Sequence, residues 1–143
     1  RMDFTMIGDG VNIASRLESA CKEYHTRILI SENTYKRLKG TYRSREVDMV
    51  VVKGKTTPVS IYEILDYHTE ETFPNIMEVL QNFKSGLAKY RQGKWDDAMR
   101  TFREALALNP NDAVSEMYLR RCEHLKANPP DEAWEGIWVM HSK

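Results

Sequence analysis

The sequence predicts an α+β fold in two successive parts, and three observations carry that expectation. Up to about Asp66, short β-branched runs alternate with segments of helical period. From Asn75 to Ala127 the apolar residues recur at helical spacing throughout. Between the two, Tyr67 to Pro74 is polar and closes on proline, which marks a boundary. The expected domains are residues 1–66, a linker at 67–75 and a helical part at 76–143.

The first elements surround F-T-M-I-G-D-G-V-N-I-A-S-R-L-E, from Phe4 to Glu18. An apolar strand ends in Gly8-Asp9-Gly10 and a helix is expected to follow. The glycines do not make a dinucleotide loop, because the third small position of G-x-G-x-x-G is Ile13. A phosphate loop of the G-K-[ST] kind is also excluded, since no lysine follows the second glycine. They serve a tight strand-to-helix turn. Asp9 suits the helix start, and Ile13, Leu17, Ala20, Cys21 and Tyr24 form its apolar stripe. Asn12 and Arg16, four apart, share one face at the edge of that stripe. An amide and a guanidinium on a rigid element suit a phosphoester ligand. Spacing alone favours the plainer alternative of a solvated arginine and a second capping residue.

Arg27 to Ile30 is a β-rich run ending at Ser31, a cap for a helix over Glu32 to Leu38. Val47–Val52 and Val59–Leu65 read as two strands separated by K-G-K-T-T-P, a hairpin-like turn. In the second part, helices are expected over about Ile76–Gln92, Trp95–Leu108 and Ala113–Lys126. Asp112 is placed to cap the third, and Pro129-Pro130 stops further helix. The closing E-A-W-E-G-I-W-V-M places Trp134, Ile137, Trp138 and Met140 in a tail expected to fold back onto the helices.

Composition narrows the function classes. The 143 residues carry 21 basic and 21 acidic side chains, so the formal net charge is zero. That balance, without long runs of one sign, argues against a nucleic-acid-binding domain and a polybasic membrane anchor. No apolar stretch is long enough to span a bilayer, and no signal-peptide pattern is present. Cys21 and Cys122 lie far apart in helical patterns and make no metal spacing, which fits buried thiols in a reducing, cytoplasmic setting. The chain opens on Arg1 inside a strand pattern and is expected to be a piece of a longer protein.

The first part resembles the class III nucleotidyl cyclase catalytic domain, in the segment after its central β-hairpin. The resemblance rests on F-T-M-I-G-D-G-V-N-I-A-S-R-L-E, on I-L-I-S-E-x-T-Y and on V-K-G-K-x-x-P-V-x-I-Y-E, in that order over about 66 residues. It implies a ferredoxin-like α+β domain working as a homodimer on ATP, with its sites at the dimer interface. It also implies individual roles. Asn12 matches the asparagine that orients the ribose, and Arg16 the arginine that stabilises charge on the α-phosphate during ring closure. Thr5 stands at the base-selecting position, where a hydroxyl is compatible with adenine; its alternative is an ordinary β-branched strand residue. Lys53 matches a lysine on the terminal phosphates, and Lys55 is expected to be solvated. Two ions, Mg2+ or Mn2+, are implied, with their aspartate ligands expected upstream of Arg1 and none in this chain; Asp3 and Asp9 do not take that role. The implied activity is adenylyl cyclase, incomplete in this chain alone. The alternatives are a guanylyl cyclase or a catalytically silent association module.

The helical part resembles a tetratricopeptide repeat. Gly86, Gly93, Trp95, Ala98, Phe102, Ala105, Leu106 and Pro110 follow its small–aromatic–small spacing, while Asn82 and Ser85 stand where the pattern has Trp and Leu. One repeat is too short for a free-standing solenoid, so the helices are expected to pack on the first domain or a partner.

Overall fold

The computed structural model describes residues 5–7, 24–26, 28–38, 42–52 and 57–140. The chain forms two compact units: residues 1–67 together with 137–143, and residues 68–136. The second is thus inserted, in the chain, between Tyr67 and Ile137 of the first.

The first unit is built on a five-stranded sheet. In chain order its elements are strand β1 (Thr5–Ile7), strand β2 (Ile28–Ser31), helix α1 (Glu32–Arg37), strand β3 (Ser44–Val52), strand β4 (Val59–Ile64) and strand β5 (Ile137–Met140). The sheet order is β1-β2-β4-β3-β5. β1 pairs parallel with β2, β4 runs antiparallel to both β2 and β3, and β5 pairs parallel with β3. The strand–helix–hairpin order predicted for the first part is therefore observed. Ser31 caps α1 as expected, its hydroxyl accepting from the Thr34 N–H at 3.3 Å. α1 lies against the sheet through Tyr35, which stacks on Tyr62 of β4 with ring centroids 4.2 Å apart.

Two polar devices sit inside this unit. Arg45 and Glu63 are directly opposed in the β3–β4 register and form an ion pair of 2.9 Å with both side chains buried. The pairing compensates two charges that would be costly to bury alone. A β-bulge between Glu46 and Asp48 gives β3 one extra residue, Val47. Without it, alternation would send Val47 and Asp48 to opposite faces; both are fully buried.

The second unit holds helices α2 (Ile76–Arg91), α3 (Trp95–Leu108) and α4 (Ala113–Ala127). α2 ends in a Schellman turn: Gly93 donates to the Tyr90 carbonyl and Lys94 to that of Lys89, both at 3.0 Å. Gly93 takes φ +76°, the left-handed value this turn needs. At Gly86 an added Cβ would lie 2.8 Å from the ring of Phe102, so α2 and α3 meet where one side chain is missing. Phe102 also stacks on Tyr118 of α4, and Phe83 packs on both rings. Asn75 ties the start of α2 to the end of α3, its amide donating to the Leu108 carbonyl at 2.9 Å. Cys122 is buried, and desolvation pushes its thiol up to about 12. Cys21 lies outside the described residues, as does the stripe from Ile13 to Cys21.

The tail divides, which differs from the expectation that all of it folds onto the helices. Trp134 does so: its ring packs edge-on against Tyr90 and Trp95, and its indole N–H donates to the Tyr90 carbonyl at 3.1 Å. Ile137 to Met140 instead enter the sheet as β5. The physical reason is the edge of β3 opposite β4, whose backbone groups a short apolar strand can pair.

Candidate active site

Strand direction organises the candidate site. β1, β2 and β3 all run one way, because β4 is antiparallel to both β2 and β3. The carboxyl ends of β1 and β3 therefore point to the same end of the sheet. From Ile7, the last residue of β1, the chain continues into Gly8-Asp9-Gly10 and towards Asn12 and Arg16. From Val52, the last residue of β3, it continues into Lys53. Two strands intervene, so these exits stand roughly three interstrand spacings apart, ~14 Å.

Of the sequence-predicted residues, Thr5 opens β1, its backbone in register with Ile28 of β2. Asn12, Arg16 and Lys53 lie outside the described residues.

Sequence reasoning missed a buried link between the two arms of this arrangement. The Tyr24 hydroxyl donates to the Asp48 carboxylate at 2.5 Å, and both residues are fully buried. The second Asp48 oxygen accepts from the Met49 N–H at 2.8 Å. Tyr24 follows the segment of Asn12 and Arg16, and Asp48 precedes Lys53 on β3. A charge-assisted hydrogen bond between buried partners thus ties one segment to the strand that feeds the other. Tyr24 was legible as an apolar-stripe residue, but its partner was not: in V-D-M-V-V-V only the bulge turns Asp48 inward.

The described carboxylates do not make a metal centre. Asp48 is engaged by Tyr24, Glu63 by Arg45, and no group of three His, Cys, Asp or Glu among the described residues could hold an ion. Among the same residues, no helix is long and apolar enough to cross a membrane.

Comparison with known proteins identifies the two parts of the chain. Residues 1–68 match the family described as the adenylate and guanylate cyclase catalytic domain, and residues 81–112 match the tetratricopeptide repeat. The chain is 38% identical over 126 residues to "Adenylate cyclase, terminal-differentiation specific" of Dictyostelium discoideum, a match covering 85% of this chain and 6% of that protein. It is 45% identical over 67 residues to "Adenylate cyclase" of Anabaena cylindrica, covering 45% of this chain and 13% of the relative. With "Adenylate cyclase 1" of Rhizobium meliloti (strain 1021) it shares 37% over 65 residues, 46% of this chain and 10% of the relative. The chain thus spans only 6–13% of the length of these relatives. The Dictyostelium match runs beyond the 68 residues of the catalytic family into the helical unit. No solved structure matches the chain. Residues 1–68 belong to the adenylate and guanylate cyclase catalytic domain family, and a tetratricopeptide repeat follows them in the same chain.

Proposed function

We infer that this chain supplies the base-selecting and transition-state-stabilising part of an adenylyl cyclase, which converts ATP to 3′,5′-cyclic AMP and pyrophosphate. The observation that carries this reading is the family match over residues 1–68, the segment that contains Thr5, Asn12, Arg16 and Lys53. The relatives' names, all adenylate cyclases, support ATP over GTP.

Each residue is assigned a task that its chemistry suits. Thr5 hydrogen-bonds the adenine edge, Asn12 orients the ribose, and Lys53 neutralises the terminal phosphates. Arg16 stabilises charge on the α-phosphate as the 3′-hydroxyl attacks and pyrophosphate leaves. Such an in-line displacement asks mostly for positioning and electrostatic stabilisation, and a planar guanidinium supplies both. The working unit is a homodimer with its sites at the interface. The family uses Mg2+ or Mn2+, and two such ions would be held by carboxylates other than the described ones. A cytoplasmic setting accords with the buried Cys122 thiol.

Nucleotide selectivity tests this reading. A catalytically complete dimer carrying this sequence is expected to prefer ATP, and Thr5→Ala to lower the ATP/GTP ratio of kcat/KM about fivefold. That is the worth of one hydrogen bond, ~1 kcal/mol. Thr5→Cys, combined with a matching change at the lysine that helps read adenine in the cyclase family and is expected upstream of Arg1, is expected to shift the preference towards GTP. Full selectivity in both variants would reduce Thr5 to a strand residue. Preferential turnover of GTP by the unmodified dimer would favour the guanylyl alternative, and no turnover of either would favour the association module.

A further inference from the structure

We propose that strand β5 is a tethered cover for a strand-accepting edge on β3, and that a second copy of this chain takes that edge when β5 is withdrawn.

The sheet order puts β5 at the rim with β3 next to it. Among the described strands, removal of β5 would make β3 an edge of nine residues, Ser44–Val52. Such an edge offers a row of N–H and C=O groups to any strand that fits. Its two halves differ. The amino half holds Ser44, Arg45, Glu46 and Asp48 and is broken by the bulge between Glu46 and Asp48. Charges and bulges both spoil an edge for a foreign strand. The carboxyl half, Met49–Val52, has no charged residue and no register shift. Asp48, just before it, is fully buried and engaged by the Tyr24 hydroxyl, so its charge is turned away from an incoming strand. β5 pairs with this half alone: Met49↔Ile137, Val50↔Trp138, Val51↔Val139 and Val52↔Met140. The cover coincides with the stretch that lacks protection of its own.

Uncovered, Met49–Val52 suits its own copy. Two such runs paired antiparallel about a two-fold axis set Met49 against Val52 and Val50 against Val51, with no like charges opposed. Three consecutive valines favour extended pairing. The cover is held lightly. It has four residues and pairs in parallel; Val139 is 45% exposed, and Ile137 and Trp138 are half-buried. A strand that short is also a poorer template than the longer edge it hides.

The test compares the 143-residue chain with a form ending at Gly136, by sedimentation over a range of protein concentrations. The shortened form is expected to gain a species of about twice the mass of the full chain's own. Hydrogen exchange in that species is expected to leave the amides of Met49–Val52 protected. Val51→Lys sets a charge within the self-pairing run and is expected to return the shortened form to the mass of the full chain. Val51→Thr, β-branched and neutral, is expected to leave the association in place. Where circular dichroism shows the shortened form to have lost its fold, Val139→Pro in the full chain takes its place, since proline denies β5 a ladder N–H while the tail stays attached. Equal mass of the uncovered and full chains would overturn the proposal. So would association that Val51→Lys leaves unchanged, because surfaces other than the β3 edge would then hold the copies together. Free exchange of Met49–Val52 in the associated species would overturn it as well.

Discussion

In a catalytically complete dimer carrying this sequence, Arg16→Ala lowers kcat by a factor on the order of a hundred or more, while KM for ATP changes little. Charge on the α-phosphate grows as the 3′-hydroxyl attacks, so a guanidinium aimed there is worth more in the transition state than in the ground state. Loss of one such contact typically costs about 3 kcal/mol, and the cost falls on the rate. Arg16→Lys restores only part of it, because an ammonium keeps the charge but not the planar two-donor geometry. Steady-state kinetics on variants with unchanged circular dichroism and dimer content check the prediction. Near-normal kcat in Arg16→Ala would remove Arg16 from the reaction.

In the helical unit the largest effect is expected at Phe102. Its ring is fully buried, stacks on Tyr118 with centroids 5.3 Å apart and tilts against Phe83 at 5.7 Å. It also fills the space that Gly86 leaves open. Phe102→Ala is therefore expected to cost about 3–5 kcal/mol, the sum of lost burial and an unfilled cavity. Gly86→Ala errs the other way, forcing a Cβ to 2.8 Å from the same ring. Pairing Gly86→Ala with Phe102→Leu is expected to cost less than the sum of the singles, since the smaller side chain relieves the crowding. Urea unfolding followed by the fluorescence of Trp95 and Trp134, both in this unit, measures the difference. A loss below about 1 kcal/mol for Phe102→Ala would contradict the packing described.

The helices were the most legible part of the fold because their signals are local. Ala98, Phe102 and Ala105 fall at helical spacing on α3, and Gly93 ends α2 with the turn that a positive φ permits. The K-G-K-T-T-P stretch similarly announced two antiparallel strands, observed as the β3–β4 pair. Two features were not legible, both for non-local reasons. The bulge at Val47 turns Asp48 inward, and alternation read from sequence has no means of seeing an extra residue that only a partner strand defines. Strand β5 is a four-residue apolar run whose partner lies 88 positions earlier in the chain, as in Met49↔Ile137, and nothing local names that edge. Gly136 was the one available cue, a glycine between Trp134, which stays with the helices, and Ile137, which leaves them. At the candidate site, the backbone of Thr5 and the direction of the strands feeding the other residues are defined by the fold. The tasks of Asn12, Arg16 and Lys53 rest on the family to which their segment belongs.

The central claim is that this chain supplies half of a composite site, and mixing two dead variants tests it most directly. In a catalytically complete protein, one variant carries Arg16→Ala and the other lacks a metal-binding aspartate of the family pattern, expected upstream of Arg1. Neither homodimer can assemble a whole site. After subunit exchange in equal amounts, half of the dimers are mixed and each holds one whole site, so cyclic AMP production is expected to return to about a quarter of the unmodified level. Exchange, verified with differently labelled subunits, without any return of activity would mean that the groups act within one chain and would contradict the account.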